Sequence, residues 1–232
     1  MNKRIYIFAF LLQLISGCAQ ESESYFPLDK GSNWYYKGRQ VSRVHDELIR
    51  RVVSVAEDRL IDGVNTSVQK TLAGNQHFFM ASDSGILRVG YQEQGHDTPV
   101  IYQAKRYLFR YPLEQGTTWD DTLTTVSLRS GEPRGIVINE QVPVTARLVS
   151  KKDKVKVAAG VFKDCIRVEK HGELLLGDGK YQRLPKTLIK VKEVSWYAPG
   201  VGLVKILRDE SSDYVGVGEG RLELELAKME KK

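Results

Sequence analysis

Apolar and polar residues alternate with a period of two along many short stretches of the chain, and this pattern most constrains the fold. Leu222, Leu224 and Leu226, for example, alternate with glutamates. Successive side chains of a β-strand point to opposite faces, so such stretches predict strands with one buried and one exposed face. The period of an amphipathic helix is almost absent, and residues 43–60 are the one segment that could hold a short helix.

Turn residues separate these stretches. Asp62-Gly63 favours a two-residue hairpin turn, because both central residues of that turn need positive φ. Pro199-Gly200 suits the centre of a type II turn, and Asp83-Ser84-Gly85 and Gly177-Asp178-Gly179 indicate further hairpin tips. The sequence therefore predicts an all-β domain: an antiparallel meander of about ten or more strands that forms a curved sheet, a half-barrel or a sandwich, with at most a short helix.

An apolar segment near the N-terminus follows two basic residues, Lys3 and Arg4. It runs from Ile5 to Ile15 and is interrupted only by Gln13. These 11 residues are too few for a transmembrane helix, which needs about 20. A positive start, a short apolar core and small residues before a cleavage point are the parts of a secretory signal.

The end of this segment, Leu-Ile-Ser-Gly-Cys at residues 14–18, resembles the lipobox of bacterial lipoproteins, with Ile15 where leucine is commoner. The resemblance implies a lipid on the Cys18 sulfur and cleavage between Gly17 and Cys18, which makes residues 1–17 a lipoprotein signal peptide. An ordinary secretory signal with an incidental cysteine is the alternative.

Residues 18–24 are small and polar and cannot bury enough surface to fold, so they predict a flexible tether. Ala19 stands where aspartate would indicate retention in the inner membrane of enteric bacteria. By the same resemblance we expect a bacterial cell-envelope protein anchored in the outer membrane. The domain could face either side of that membrane. Residues 25–229 then form a single β-rich domain.

A short motif occurs twice, once at residues 26–34 and again at residues 111–119. Both copies carry an aromatic residue, Pro, Leu, an acid, Gly and Trp in the same order. The repeat indicates that the domain could consist of two related halves, residues 25–108 and residues 109–229.

The chain has three tryptophans, Trp34, Trp119 and Trp196. They are candidate ligand-facing aromatic residues, because aromatic side chains often line binding sites. The alternative is that they pack in the core, where a large apolar surface is best buried.

Three dispersed segments together resemble a group of uncharacterised bacterial periplasmic proteins and lipoproteins. They are Phe-Pro-Leu-x-x-Gly-x-x-Trp at residues 26–34, Ala-Gly-x-Phe-x-x-Cys at residues 159–165 and Tyr-Ala-Pro-Gly-Val-Gly-Leu-Val at residues 197–204. The resemblance implies a β-rich fold, related in shape to the curved sheets of lipoprotein carriers. It implies no activity and no catalytic residues.

No motif typical of catalysis is present in the sequence. The four histidines lack metal-ligand spacing, and there is no Gly-x-Ser-x-Gly elbow. Cys165 lies among apolar neighbours and is best interpreted as a buried, inert thiol, left without a disulfide partner if Cys18 is lipidated. We therefore expect no enzyme activity, no metal and no cofactor.

The formal charge is +6, and basic residues concentrate at residues 151–156 and 186–192. Such runs either contact anionic lipid headgroups or polysaccharide, or are simply solvated strand ends. Nucleic acid is not expected, since an exported protein rarely meets it and no recognisable nucleic-acid-binding motif is present.

Three functions follow from these observations. The first is a membrane-anchored, non-catalytic lipoprotein whose β domain binds an envelope protein, lipid or polysaccharide. The alternative is a carrier of lipid or another amphiphile in a half-barrel cavity. A hydrolase acting on envelope polymers is the weakest of the three, because the catalytic motifs are missing.

Overall fold

The computed structural model describes residues 24–130, 136–177, 181 and 184–231. The signal peptide and nearly all of the tether, with Gly17 and Cys18, lie outside the described residues. No helix in the described part of the chain is long and apolar enough to cross a membrane.

The described residues form β-strands joined by turns and loops. The strands are β1 (Asn33–Ser42), β2 (Asp46–Ile61), β3 (Val64–Thr71), β4 (Gln76–Ser82), β5 (Gly85–Gln92), β6 (Val100–Arg110), β7 (Thr118–Thr124), β8 (Arg129–Ser130), β9 (Ile136–Val137), β10 (Gln141–Val157), β11 (Gly160–Leu176), β12 (Thr187–Ala198), β13 (Gly202–Ser212) and β14 (Glu219–Glu230).

Twelve of these strands form one antiparallel sheet in the order β6-β5-β4-β3-β2-β1-β14-β13-β12-β11-β10-β7, while β8 pairs with β9. Strands β1 to β6 make a first meander, and β7 with β10 to β14 makes a second meander. Pairing of β1 with β14 joins the two. The end strands β6 and β7 lie in contact, but no ladder joins them in the described residues. The sheet thus curls into a nearly closed barrel with a seam between β6 and β7, and the all-β antiparallel prediction is confirmed.

The segment that could have held a short helix, residues 43–60, lies mainly in β2. This strand pairs with β1 on one side and with β3 on the other. Val52, Val53 and Val55 are β-branched and favour the extended backbone. Hydrogen bonding to strands on both sides therefore fixes this segment as strand.

The predicted turns join neighbouring strands where the structure describes them. Asp62 and Gly63 connect β2 to β3 with φ of 49° and 76°. Gly200, with φ of 68°, lies in the turn from β12 to β13. Asp83 and Ser84 connect β4 to β5. The expected tip at residues 177–179 falls largely outside the described residues.

One face of the sheet is buried and the other is exposed, as the period-two pattern predicts. In the first half of β10, Val142, Val144, Ala146 and Leu148 are buried, and the residues between them are exposed. This alternation places the apolar core inside the curled sheet.

The two copies of the repeated motif form the same turn. Gly31 and Gly116 both have positive φ, at 82° and 97°. The Gly31 N–H donates to the Val55 carbonyl at 2.9 Å, and the Gly116 N–H donates to the Leu148 carbonyl at 2.8 Å. Each turn leads into the first strand of one meander. The division of the domain into two related halves stays a prediction.

Candidate functional site

A row of charged side chains crosses the buried face of the second meander. The strand register places Lys170 of β11 opposite Glu193 of β12, and Glu193 opposite Arg208 of β13. Lys170 Nζ lies 3.6 Å from Glu193 Oε1 and 2.8 Å from Oδ2 of Asp121 in β7. Arg208 Nε donates to Glu193 Oε2 at 2.7 Å, and its Nη1 lies 3.7 Å from Glu210 Oε1. Every charge in this interior network faces an opposite charge.

The cations of the interior network lower the pKa values of two of its carboxyl groups, those of Asp121 and Glu193. Burial alone would raise the pKa of Asp121, but Lys170 and Arg88 outweigh it and lower that pKa. Burial likewise opposes the charge of Glu193, whose pKa is lowered by Arg208 and Lys170. Since breaking a buried ion pair costs about 3–5 kcal/mol, loss of one member of the network should destabilise the folded state.

The Glu210 carboxylate holds the segment that follows β7. It accepts the Ser127 N–H at 2.7 Å and the Val126 N–H at 3.0 Å. Burial raises the pKa of Glu210, although these two donors and Arg208 oppose the shift. Leu128 in the same segment is fully buried. The carboxylate therefore ties a loop over the core, which is a structural role.

A small cavity lies inside the barrel beside Trp34 and measures about 160 Å³. Apolar side chains dominate its wall, and Arg51 and Gln69 add polar groups. Small-molecule sites usually have a volume of about 300–1,000 Å³, so this cavity is small for a ligand. The full lining is Phe26, Pro27, Trp34, Tyr36, Arg51, Val53, Gln69, Gly202, Leu203, Ile206 and Leu224.

The seam opens into a larger and more polar cleft of about 330 Å³, which we call the seam cleft. One wall comes from β4, β5 and β6, and the other comes from β7 and from β10 with the residues before it. The cleft exists because β6 and β7 end the sheet without pairing. Its lining is Asn75, His77, Arg88, Tyr91, Glu93, Tyr102, Arg106, Thr122, Thr124, Asn139 and Gln141.

Arg106 bridges the two walls of the seam cleft. Its guanidinium carbon lies 3.8 Å from the centre of the Tyr102 ring, and its Nη2 donates to Gln141 Oε1 at 3.3 Å. The Tyr91 and Tyr102 rings lie 6.0 Å apart. Burial, aided by Arg88, lowers the pKa of His77 to about 4, so this imidazole is neutral at physiological pH. The cleft thus combines aromatic faces, amides, hydroxyls and guanidinium groups, which suit a polar ligand.

The three tryptophans lie away from the seam cleft. Trp34 and Trp119 are each 3 % exposed and pack in the core, and Trp34 also borders the small cavity. Trp196 is half-buried, and its Nε1 donates to Asp153 Oδ2 at 2.9 Å. The lipidation site Cys18 and the cleavage residue Gly17 lie outside the described residues, so the structure bears on neither.

Cys165 is fully buried, as predicted for an inert thiol. Burial, aided by Asp153 and Asp164, raises the pKa of its thiol to about 11. Within the described ranges, no group of three or more His, Cys, Asp or Glu side chains is placed to hold a metal ion.

Sequence reasoning missed the seam cleft. Tyr91, Tyr102 and Arg106 are separated from Gln141 along the chain, and only the curling of the sheet brings the two walls together. One signal in the sequence could have indicated the cleft. Strands β5 and β6 carry aromatic, amide and basic residues where a simple strand would alternate apolar and polar residues.

These features define an all-β protein with a nearly closed antiparallel barrel, a charged interior and a polar cleft at its seam. The chain belongs to the DUF3108-like family, whose model matches residues 48–224. A comparison with curated proteins found no match.

Two solved structures are similar to the chain along most of its length. One is a Parabacteroides distasonis protein described as a "putative lipoprotein", with 14% identity, a TM-score of 0.47, and coverage of 91% of this chain and 100% of that one. The other is a Bacteroides fragilis protein described as a "putative exported protein with YmcC-like fold", with 14% identity, a TM-score of 0.44, and coverage of 90% and 100%.

Proposed function

We propose that the protein is a non-catalytic binding protein of the bacterial cell envelope, anchored in the outer membrane by a lipid on Cys18. In this proposal the seam cleft binds a polar ligand, and an envelope saccharide fits its chemistry best. The observation that carries the proposal is the lining of the cleft, where the Arg106 guanidinium lies over Tyr102 and beside amide and hydroxyl groups.

The composition of the cleft supports a saccharide over an acyl chain. Tyrosine rings offer flat apolar faces, while amides and hydroxyls offer donors and acceptors at fixed positions. Arg88 and Arg106 exceed the single carboxylate of Glu93 in charge, and His77 is neutral. An anionic or strongly hydroxylated saccharide is therefore the best match.

A lipid carrier receives less support from the interior. The apolar cavity beside Trp34 measures only about 160 Å³. A space of about 400 Å³ beside Leu48, Ile49 and Leu224 is lined mainly by charged side chains. An acyl chain would have to displace core residues or the paired charges, and unpairing buried charges is costly.

The cleft is tested by two variants of neighbouring residues on β6. Arg106→Ala removes the guanidinium from the cleft, whereas Lys105→Ala alters an exposed residue that does not line it. The processed lipoprotein in detergent is titrated calorimetrically with muropeptides and with O-antigen oligosaccharides. We expect binding of at least one probe, weakened about tenfold by Arg106→Ala and unchanged by Lys105→Ala. Binding that both variants leave unchanged would contradict the assignment of the cleft.

The anchor is tested separately in cells. Palmitate labelling should disappear in Cys18→Ala, and globomycin should cause a mobility shift only in the parent protein. Label that persists in Cys18→Ala would contradict lipidation at this residue.

A further inference from the structure

The described chain begins beside the β12–β13 turn and the β10–β11 hairpin. The Ser24 carbonyl accepts the Gly200 N–H at 3.0 Å. The Tyr25 hydroxyl donates to the Asp164 carbonyl at 3.0 Å. These two hydrogen bonds fix the point at which the tether leaves the domain.

The β10–β11 hairpin carries a cluster of exposed lysines. Val155 and Val157 are buried against the core, so the alternating Lys154 and Lys156 project outwards and are exposed. On the returning strand, Val161 lies opposite Lys156 and is 51% exposed. We call the exposed lysines of this hairpin the lysine tip: Lys151, Lys152, Lys154, Lys156 and Lys163.

No salt bridge neutralises the lysine tip within the described residues. The nearby Asp153 is engaged elsewhere, since it accepts the Trp196 indole N–H at 2.9 Å and lies 3.6 Å from Arg167 Nε. The other basic run differs, because Lys190 pairs with Glu173 at 3.1 Å. Five lysines against the two carboxylates of Asp153 and the exposed Asp164 leave this hairpin with a net positive charge.

The tether is short enough to bring the lysine tip to a membrane. Five residues lie between Cys18 and Ser24, and an extended chain spans at most about 3.5 Å per step along the chain, or roughly 20 Å in all. A lipid on Cys18 would hold the bilayer within that distance of the point where the tether leaves the domain. Lysines near an anionic surface are attracted to it over about one Debye length, which is 8–10 Å at physiological salt.

We propose that the lysine tip rests on the anionic lipid headgroups of the membrane that holds the anchor. This inference rests on the proposed lipidation of Cys18. The lipid holds the protein at the bilayer, and the lysine tip sets which end of the barrel faces it. Val161, exposed between the lysines, adds an apolar contact at the headgroup level.

The test uses the processed lipoprotein in two kinds of vesicle, one of phosphatidylethanolamine with phosphatidylglycerol and one of phosphatidylcholine alone. Flotation first reports whether the protein is anchored. A water-soluble acylating reagent then modifies exposed lysines, and mass spectrometry compares the lysine tip with Lys192, which is exposed on β12. We expect modification of the lysine tip to be about fivefold slower in anionic vesicles, and modification of Lys192 to be unaffected.

Two charge-reversal variants make the comparison specific. Lys154→Glu/Lys156→Glu should abolish protection of the remaining tip lysines, whereas Lys190→Glu/Lys192→Glu, with the same change of charge, should retain it. Protein that floats but shows equal modification in both vesicles would overturn the membrane contact and leave the anchor intact. Protein that does not float would overturn the anchor and this inference together. Protection in cell envelopes but not in vesicles would indicate a protein or polysaccharide partner and would also overturn the inference.

Discussion

The second meander buries an ion pair, whereas an ion pair of nearly the same length beside the first meander is exposed. In the second meander, Lys170 and Asp121 lie 2.8 Å apart and their side chains are 4% and 2% exposed. Beside the first meander, Lys30 and Asp58 lie 2.9 Å apart with side chains 59% and 41% exposed. The distances are nearly equal, yet water screens only the second of these pairs. Distance alone therefore says little about what each pair contributes to stability.

The tryptophans that follow the two repeated turns also lie in different surroundings. Trp34 Nε1 donates to the Val201 carbonyl at 2.6 Å. Trp119 Nε1 has no hydrogen-bond partner in the described part of the chain, and the ring packs edge-on against Phe109 with centres 6.5 Å apart. The same type of turn thus precedes both strands, but the surrounding residues determine whether the indole N–H is hydrogen-bonded.

The largest difference between the meanders should come from breaking the two ion pairs. Lys170→Met leaves Asp121 buried without its ion-pair partner and leaves Glu193 with Arg208 alone, and we expect a loss of about 3–5 kcal/mol in the free energy of unfolding. Lys30→Met breaks an exposed pair and should cost less than about 1 kcal/mol. Urea denaturation of both variants measures the difference. Equal losses would show that the buried and exposed pairs contribute alike.

Acidic pH should reduce the difference in stability between the parent protein and Lys170→Met. The pKa values of Asp121 and Glu193 are lowered in the folded protein, so both carboxyls bind protons more readily in the unfolded chain. Their stabilising contribution is complete above the ordinary carboxyl pKa of about 4, and it is lost as the pH falls through the lowered values. The stability gap between the parent protein and Lys170→Met should therefore narrow as the pH falls below about 4 in urea titrations. A gap that is constant over this range would contradict the charged state of the network.

The smallest expected effect is a difference in stability between variants of the two tryptophans. Trp34→Phe and Trp119→Phe both shrink a buried ring, but only the first removes a hydrogen bond. We expect Trp34→Phe to cost about 1 kcal/mol more than Trp119→Phe in thermal unfolding. Equal costs, or a larger cost for Trp119→Phe, would mean that packing rather than the hydrogen bond distinguishes the two sites.

Local signals in the sequence predicted much of the fold. The alternation in β14 and the turn at Asp62-Gly63 depend only on residues that are close along the chain, so strands and hairpins could be inferred from them. Residues 43–60 were ambiguous, because charged residues interrupt the apolar pattern of β2 and pairing with two neighbours decides its conformation.

The interior network and the seam cleft depend on contacts between distant strands. Lys170 continues the buried face of β11 after Ile166 and Val168, but the sequence does not show that Glu193 lies opposite it. Likewise, Gln141 meets Arg106 only because the sheet curls until its end strands touch. Register and closure are properties of the whole sheet, and short motifs do not encode them.

The length of β10 has a consequence for access to the protein. Gln141, at its beginning, lines the seam cleft, and Lys154, near its end, belongs to the lysine tip. At about 3.3 Å per residue, the strand separates them by at most about 45 Å. If the lysine tip rests on the bilayer, the cleft lies at the other end of β10 from the headgroups. A ligand would then reach the cleft from the aqueous compartment, and neither enter nor leave through the lipid.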